Sequence, residues 1–175
     1  MIENNLETYF KVATWSSPIV VIFLLILSAF FSGSETALTA SSRPKLRSMS
    51  DRGSVGAKKA LDITNDNESL SGTILLGNNI VNILATSLAT AYLVKLFGDK
   101  GIFLATFCMT VLILVFSELL PKTYAINNPE TAARRVAPLV LFFIYIFSPI
   151  IIFVRKFVQL LPVSYTHLTL PTTYT

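Results

Sequence analysis

The sequence predicts an all-α integral membrane protein, with three transmembrane helices and a proline-bent juxtamembrane helix at the cytosolic face. Three observations lead there. Hydrophobic residues make up 53% of the 175-residue chain and charged residues only 14%, against about 25% charged in a typical soluble domain. Apolar runs recur at lengths that cross a hydrocarbon core. One of these runs, Ile102 to Leu120, ends on an acid, Glu118, which costs roughly 2.5–3.5 kcal/mol in lipid on insertion scales and therefore calls for a partner other than lipid.

The first segment is Pro18 to Ala40, with its apolar heart at Ile19 to Phe31. It spans about 34 Å as a helix, enough for the core. It does not read as a cleavable signal peptide: no basic region precedes it and no Ala-x-Ala site follows it. The second segment runs from about Leu70 to Leu96 and reads as interrupted at Gly77-Asn78-Asn79 and Asn82. The third is Ile102 to Leu120, and the fourth is Val136 to Leu161, broken by Pro138 and Pro149. Between the first two, Ser41 to Ser69 reads as a solvated pair of short helices at the headgroups. There Pro44 sits just inside a helix start, and Lys58 and Lys59 face anionic lipid.

Basic residues set the orientation. Arg43, Lys45, Arg47, Arg52, Lys58 and Lys59 crowd the first loop, whereas the N-terminal arm has only Lys11. The expected arrangement is a multi-pass cell-membrane protein with its N-terminus outside and its long first loop cytosolic. For the fourth segment a bent helix against the inner leaflet is favoured, because it keeps Arg155 and Lys156 cytosolic and Pro149 supplies the bend. Its length and apolarity argue for a fourth span instead.

With this orientation, polar residues of three segments fall at similar depths. Ser28 and Ser32 lie ~15 and ~21 Å from the outer end of their helix, Asn78 ~12 Å from the inner end of its own, and Glu118 ~24 Å from the outer surface. Ser28 and Ser32 share a helix face, as do Asn78 and Asn82. An acid among oxygen-bearing side chains suggests a hard-cation site, with Ser28, Ser32, Asn78, Asn82 and Glu118 as metal ligands. Pro121 strengthens this by freeing a backbone carbonyl about four residues back. The competing structural reading makes the serines and asparagines interhelical glue, lets Gly33 and Gly77 merely bring helices close, and pairs Glu118 with Lys122.

Other chemistries find little support. The single histidine, His167, lies beyond the last segment, so no serine in the apolar runs has an obvious base. No phosphate loop or zinc-type spacing occurs, and Cys108 alone makes neither a disulfide nor a thiolate cluster. A net charge of +4 without a basic stripe argues against nucleic acid. No enzyme is expected.

Three motifs, Phe30-Phe31-Ser32-Gly33-Ser34-Glu35-Thr36-Ala37, Leu75-Leu76-Gly77-Asn78-Asn79-Ile80-Val81-Asn82 and Ser117-Glu118-Leu119-Leu120-Pro121-Lys122, resemble in order and spacing the transmembrane domain of the CorB/CorC and cyclin-M (hemolysin-C-like) proteins. The resemblance covers about Pro18 to Leu161. It implies a Mg²⁺ transporter, usually an exporter, with Na⁺ a candidate coupling ion. It also implies a homodimer, three spans plus a wrapped juxtamembrane helix, and ligation near Ser28, Ser32, Asn78 and Glu118, with Asn82 a weaker member. Ser117 stands where the family often has Gly. The alternative function is a non-transporting membrane scaffold or Mg²⁺ sensor in which the same polar residues only pack helices.

The expected domains are an extracellular arm over residues 1–17, a transmembrane domain over 18–162 and an atypical tail over 163–175. The Thr-rich tail resembles no start of the nucleotide-binding CBS domains that follow in such proteins, and reads as truncated or non-native.

Overall fold

The computed structural model describes the backbone of residues 2–160 and the side chains of residues 18–157, and all regular structure in that range is helical. The helices are α1 (Ile2–Ala40), α2 (Arg43–Asp51), α3 (Val55–Asn65), α4 (Asn67–Phe97), α5 (Lys100–Leu112), α6 (Leu120–Asn127) and α7 (Pro129–Leu160), with a wide π-helical stretch, Ile113–Leu119, joining α5 to α6. Four stretches are long and apolar enough to cross a membrane: Pro18–Ala40, Asn67–Phe97, Lys100–Asn127 and Pro129–Phe157. Residues 163–175, expected to form an atypical tail, lie outside the described residues.

The polar and proline positions that interrupt the second and fourth apolar runs do not stop their helices. The Gly77–Asn82 stretch is helical throughout α4. Gly and Asn are poor helix formers in isolation, but here tertiary contacts decide: Gly77 seats the ring of Phe31, and Asn78 accepts a hydrogen bond from α1. Likewise α7 runs on through Pro138 and Pro149. Each proline removes one ladder bond and crowds the carbonyl four residues back, a defect that membrane helices tolerate when a neighbour covers the freed group. For Pro138 that carbonyl belongs to Arg134, and the neighbour is α3. A Cβ at Gly56 would collide with Arg134 O, so only glycine lets the two backbones meet there.

The loop between α1 and α4 is a pair of short helices, as its composition suggests. Helix α2 opens with Pro44 in its first turn after Ser42. Helix α3 is capped by Ser54, whose side chain accepts from Ala57 N. Arg43 Nη2 reaches back to Thr64 O at 2.7 Å and closes the loop on itself.

The core sits where α1 crosses α4 and α7. Phe31, Leu38, Leu70, Ile74 and Val140 are essentially fully buried. Phe31 meets Phe143 at a centroid distance of 4.8 Å, and Phe30 and Phe147 extend the cluster. Outward-facing positions are apolar, among them Ile19, Phe23, Ile83, Phe103 and Phe107. Such exposure would be a liability in water and is the expected surface in lipid. The ends of α7 are tied to the same short stretch of chain, Glu130 to Lys45 of α2 at 3.2 Å and Arg155 to Glu68 of α4 at 2.8 Å.

Candidate cation site

The polar residues singled out on α1 and α4 meet. Ser28 is fully buried, and its Oγ donates to Asn78 Oδ1 at 2.8 Å. One turn along α4, Asn82 Nδ2 approaches the same oxygen at 3.4 Å. The Asn78 carbonyl therefore has two donors, while Asn82 Oδ1 is buried with no hydrogen-bond partner. Ser32, one turn from Ser28, is buried and its Oγ is also unpartnered. A buried polar atom with no partner is uncommon in native proteins and asks for an explanation, such as a water or an ion.

The third motif approaches from the other side of α1. Pro121 has no N–H to give and crowds Ser117 O, so the α-helical ladder cannot run through it. The chain answers by widening. Over Ile113–Leu119 the turns are π-helical, and Leu120 N bonds Val115 O, five residues back. Such widened turns are rare and concentrate at functional sites. Ser117 is fully buried and donates from Oγ to Leu25 O of α1 at 3.1 Å. A Cβ on Gly33 would stand 3.2 Å from Pro121 Cβ, so the motif glycine on α1 lets the proline on α6 come close.

Glu118 falls on the widened turn but not on the Ser28–Asn78 contact. It is half-buried and lines a cleft of about 330 Å³ with Thr86, Thr106, Met109, Thr110 and Ile113. Among the described residues no hydrogen bond or ion pair forms on its carboxylate, and the alternative pairing with Lys122 is not made. Thr86 belongs both to this cleft and to a shallow groove with Asn79 and Asn82. The polar path thus runs from Ser28 through Asn78 and Asn82 to Thr86 and reaches Glu118 sideways. Among the described residues no three His, Cys, Asp or Glu gather in one place. A cation here would meet one carboxylate and several neutral oxygens.

Thr86, Thr106 and Thr110 were not among the residues expected at the site. The signal for Thr86 was available, since it continues the four-residue spacing of Asn78 and Asn82 on one face of α4. For Thr106 and Thr110 no comparable signal existed, because their hydroxyls donate to carbonyls of their own helix, Ile102 O and Thr106 O, as threonines in apolar helices commonly do. Ser34 and Thr73, both fully buried with unpartnered hydroxyls, were also missed.

The chain is similar to known membrane proteins along most of its length. Residues 19–167 match the family described as the cyclin M transmembrane N-terminal domain. The chain is 38% identical over 146 residues to a UPF0053 protein of Haemophilus influenzae, which covers 81% of this chain and 35% of that protein. It is 43% identical over 107 residues to the UPF0053 inner membrane protein YfjD of Escherichia coli, covering 61% and 25%. It is 26% identical over 151 residues to the polyamine export protein of Escherichia coli, covering 79% and 34%. The chain therefore spans about a third or less of each of these relatives. With its apolar helices carrying the three motifs, and with the family match running nearly their whole length, this multi-pass membrane chain belongs to the cyclin M transmembrane N-terminal domain family.

Proposed function

We propose that this chain is the membrane domain of a divalent-cation transporter that moves Mg²⁺, in the direction of export, between α1, α4 and the α5–α6 segment. The observation that carries the reading is a run of oxygens without a protein partner among the described residues: Ser32 Oγ and Asn82 Oδ1, one turn from Ser28 and from Asn78 respectively, and the Glu118 carboxylate in the neighbouring cleft that Thr86 joins to Asn82. Polar glue alone leaves no reason for buried oxygens without a partner, whereas a water or an ion supplies one.

As cargo, Mg²⁺ dehydrates reluctantly and takes oxygen ligands in a near-octahedral shell. One acid neutralises part of its charge, and neutral hydroxyl and amide oxygens replace some waters, so the ion is held without being trapped. Ser28 and Asn78 would face the ion without parting, because Ser28 Oγ spends its proton on Asn78 Oδ1 and keeps its lone pairs for a cation. The site then opens to each face in turn. Na⁺ is the proposed coupling ion, and a homodimer the proposed assembly.

In topology we propose three spans, with the N-terminus outside, and α7 lying along the cytosolic face. Both of its anchored ends support this. From Glu130 to Arg155 a helix advances about 37 Å. Its two anchors, Lys45 and Glu68, both belong to the basic segment around the loop between α1 and α4.

The test is uptake of Mg²⁺ into proteoliposomes, with Glu118→Gln as control. Wild-type flux with flux abolished in the mutant, at unchanged expression and oligomeric state, is the expected outcome. Wild-type vesicles that carry no Mg²⁺ would return the chain to the scaffold or sensor reading. A second cargo is favoured by one observation: a relative named polyamine export protein, together with a carboxylate set in an open, hydroxyl-lined cleft. Labelled spermidine in the same vesicles separates the two. Flux of spermidine without Mg²⁺ would replace the ion by an organic polycation.

A further inference from the structure

A trough of about 440 Å³ runs between α4 and α7 and reaches the groove beside the cation site at Asn79. Its walls are Leu75 and Leu76 on one side and Ile150 and Val154 on the other. Gly72 leaves the floor open, since a Cβ there would only just touch Ile151, at 3.5 Å. One end is polar. Glu68 and Arg155 close it as a carboxylate–guanidinium pair at 2.8 Å, with both side chains partly exposed.

This sequence of surfaces is that of an amphiphile. An apolar slot in a membrane protein opens onto acyl chains, and the pair at its end presents one group of each sign at the edge of the apolar zone. A guanidinium binds phosphate oxygens with directed N–H donors. A carboxylate accepts from an ammonium that carries N–H bonds, and it repels a headgroup that is only anionic. We propose that the trough holds a phospholipid whose headgroup bears a primary ammonium, a phosphatidylethanolamine. An acyl chain lies over Gly72 between Leu75 and Val154, the phosphate on Arg155 and the ammonium on Glu68.

The occupant matters because of where it lies. Leu75 and Leu76 directly precede Gly77-Asn78, so the lipid sets the gap between α7 and the stretch of α4 that carries the cation-site asparagines. The proposal needs only a membrane protein and rests on no particular cargo.

The test is thermal unfolding of the purified full chain in detergent, with added dioleoyl phosphatidylethanolamine, phosphatidylcholine, phosphatidylglycerol or inorganic phosphate. The ethanolamine lipid is expected to raise Tm most. Choline lacks the N–H donors, and glycerol brings no positive charge to Glu68. Arg155→Gln is expected to weaken the response about tenfold in lipid concentration. Glu68→Gln is expected to reduce the ethanolamine response to that of choline, and Gly72→Phe to abolish the response to all lipids. Should Gly72→Phe fail to fold, the exposed Glu68→Gln variant still decides. Equal responses to the three lipids, an unchanged ranking in Glu68→Gln, or full stabilisation by inorganic phosphate alone would overturn the proposal. So would a disulfide between two copies carrying Leu75→Cys in a Cys108→Ala background, because a second chain would then cover the trough.

Discussion

Ser28 and Ser32 sit one turn apart on the same face of α1, yet they are in different situations. Ser28 is spent on Asn78, whereas Ser32 is buried with nothing to bond. Truncating Ser28 leaves the Asn78 carbonyl with only the long contact from Asn82, a loss of about 1–3 kcal/mol without Mg²⁺ and a larger one in saturating Mg²⁺, where a ligand is lost as well. Truncating Ser32 removes an unpaired hydroxyl, so in the absence of Mg²⁺ Ser32→Ala is expected to be neutral or slightly stabilising. In saturating Mg²⁺ it is expected to lose a large part of the ion's stabilisation, which follows mass action. Unfolding in detergent, with Mg²⁺ titrated against each mutant, checks both halves. Equal losses at every Mg²⁺ concentration in Ser32→Ala would make it a packing residue. Depth arithmetic brought Ser28 and Asn78 together correctly from sequence. It could not place Glu118, because depth gives no azimuth, and the azimuth of Glu118 depends on a widened turn whose extent only the folded chain reveals.

Among the helices, the two proline-marked ones are solved differently. In the third span Pro121 is absorbed by widening the ladder over Ile113–Leu119. In α7 Pro138 is absorbed by a neighbour, with Gly56 of α3 lying against the carbonyl of Arg134. Each solution gives a prediction. Pro121→Ala restores an N–H that can bond Ser117 O, and it should let the wide stretch relax toward regular turns. Removing one residue from the wide stretch rotates everything on one side by about 100°, which would swing Glu118 out of its cleft. The expected result is a folded protein, by unfolding midpoint, with Mg²⁺ response and flux lost. Full activity in Pro121→Ala would show the widened turn to be dispensable. Gly56→Ala cannot be accommodated without moving backbone, and it should destabilise the protein by about 1–3 kcal/mol. Proteolysis should then begin between α2 and α4. Sequence reading found the apolar runs interrupted at the asparagines of α4 and the prolines of α7, and both helices run on through them. Contacts with residues far away in the chain, Phe31 for the first and Gly56 for the second, were not legible from local propensity.

For the molecule as a whole, the testable statement is its sidedness. A cysteine at Lys156, in a Cys108→Ala background, is expected to resist an impermeant thiol reagent outside intact cells and to react once the inner face is opened. Labelling from outside would make α7 a fourth crossing. The all-helical membrane fold, the apolar stretches and the paired loop helices were legible from hydropathy, length and proline placement. The sidedness of α7 was not, because a stretch this apolar satisfies the requirements of a span equally well. What supports the proposed cytosolic placement is the ion pairing of its ends, and the partners of Glu130 and Arg155 lie 85 and 87 positions away in the chain.

Together with its aromatic contacts, those two pairs make α7 a beam clamped from its packed first turns to its centre and pinned by charge at its far tip. The centre is gripped by Phe30 and Phe31 of α1 around Phe143, a contact that salt does not weaken. The tips are held by ion pairs with exposed partners, each worth about 0–1 kcal/mol and screened within ~8 Å at physiological ionic strength. Raising the salt therefore slackens the Arg155 tip most, because the first turns of α7 are also packed on α3 at Gly56, and it leaves the middle fast. A force on the chain beyond α7 would reach the centre of the molecule as a torque about Phe143, with its lever arm set by the ionic strength of the compartment in which Arg155 lies.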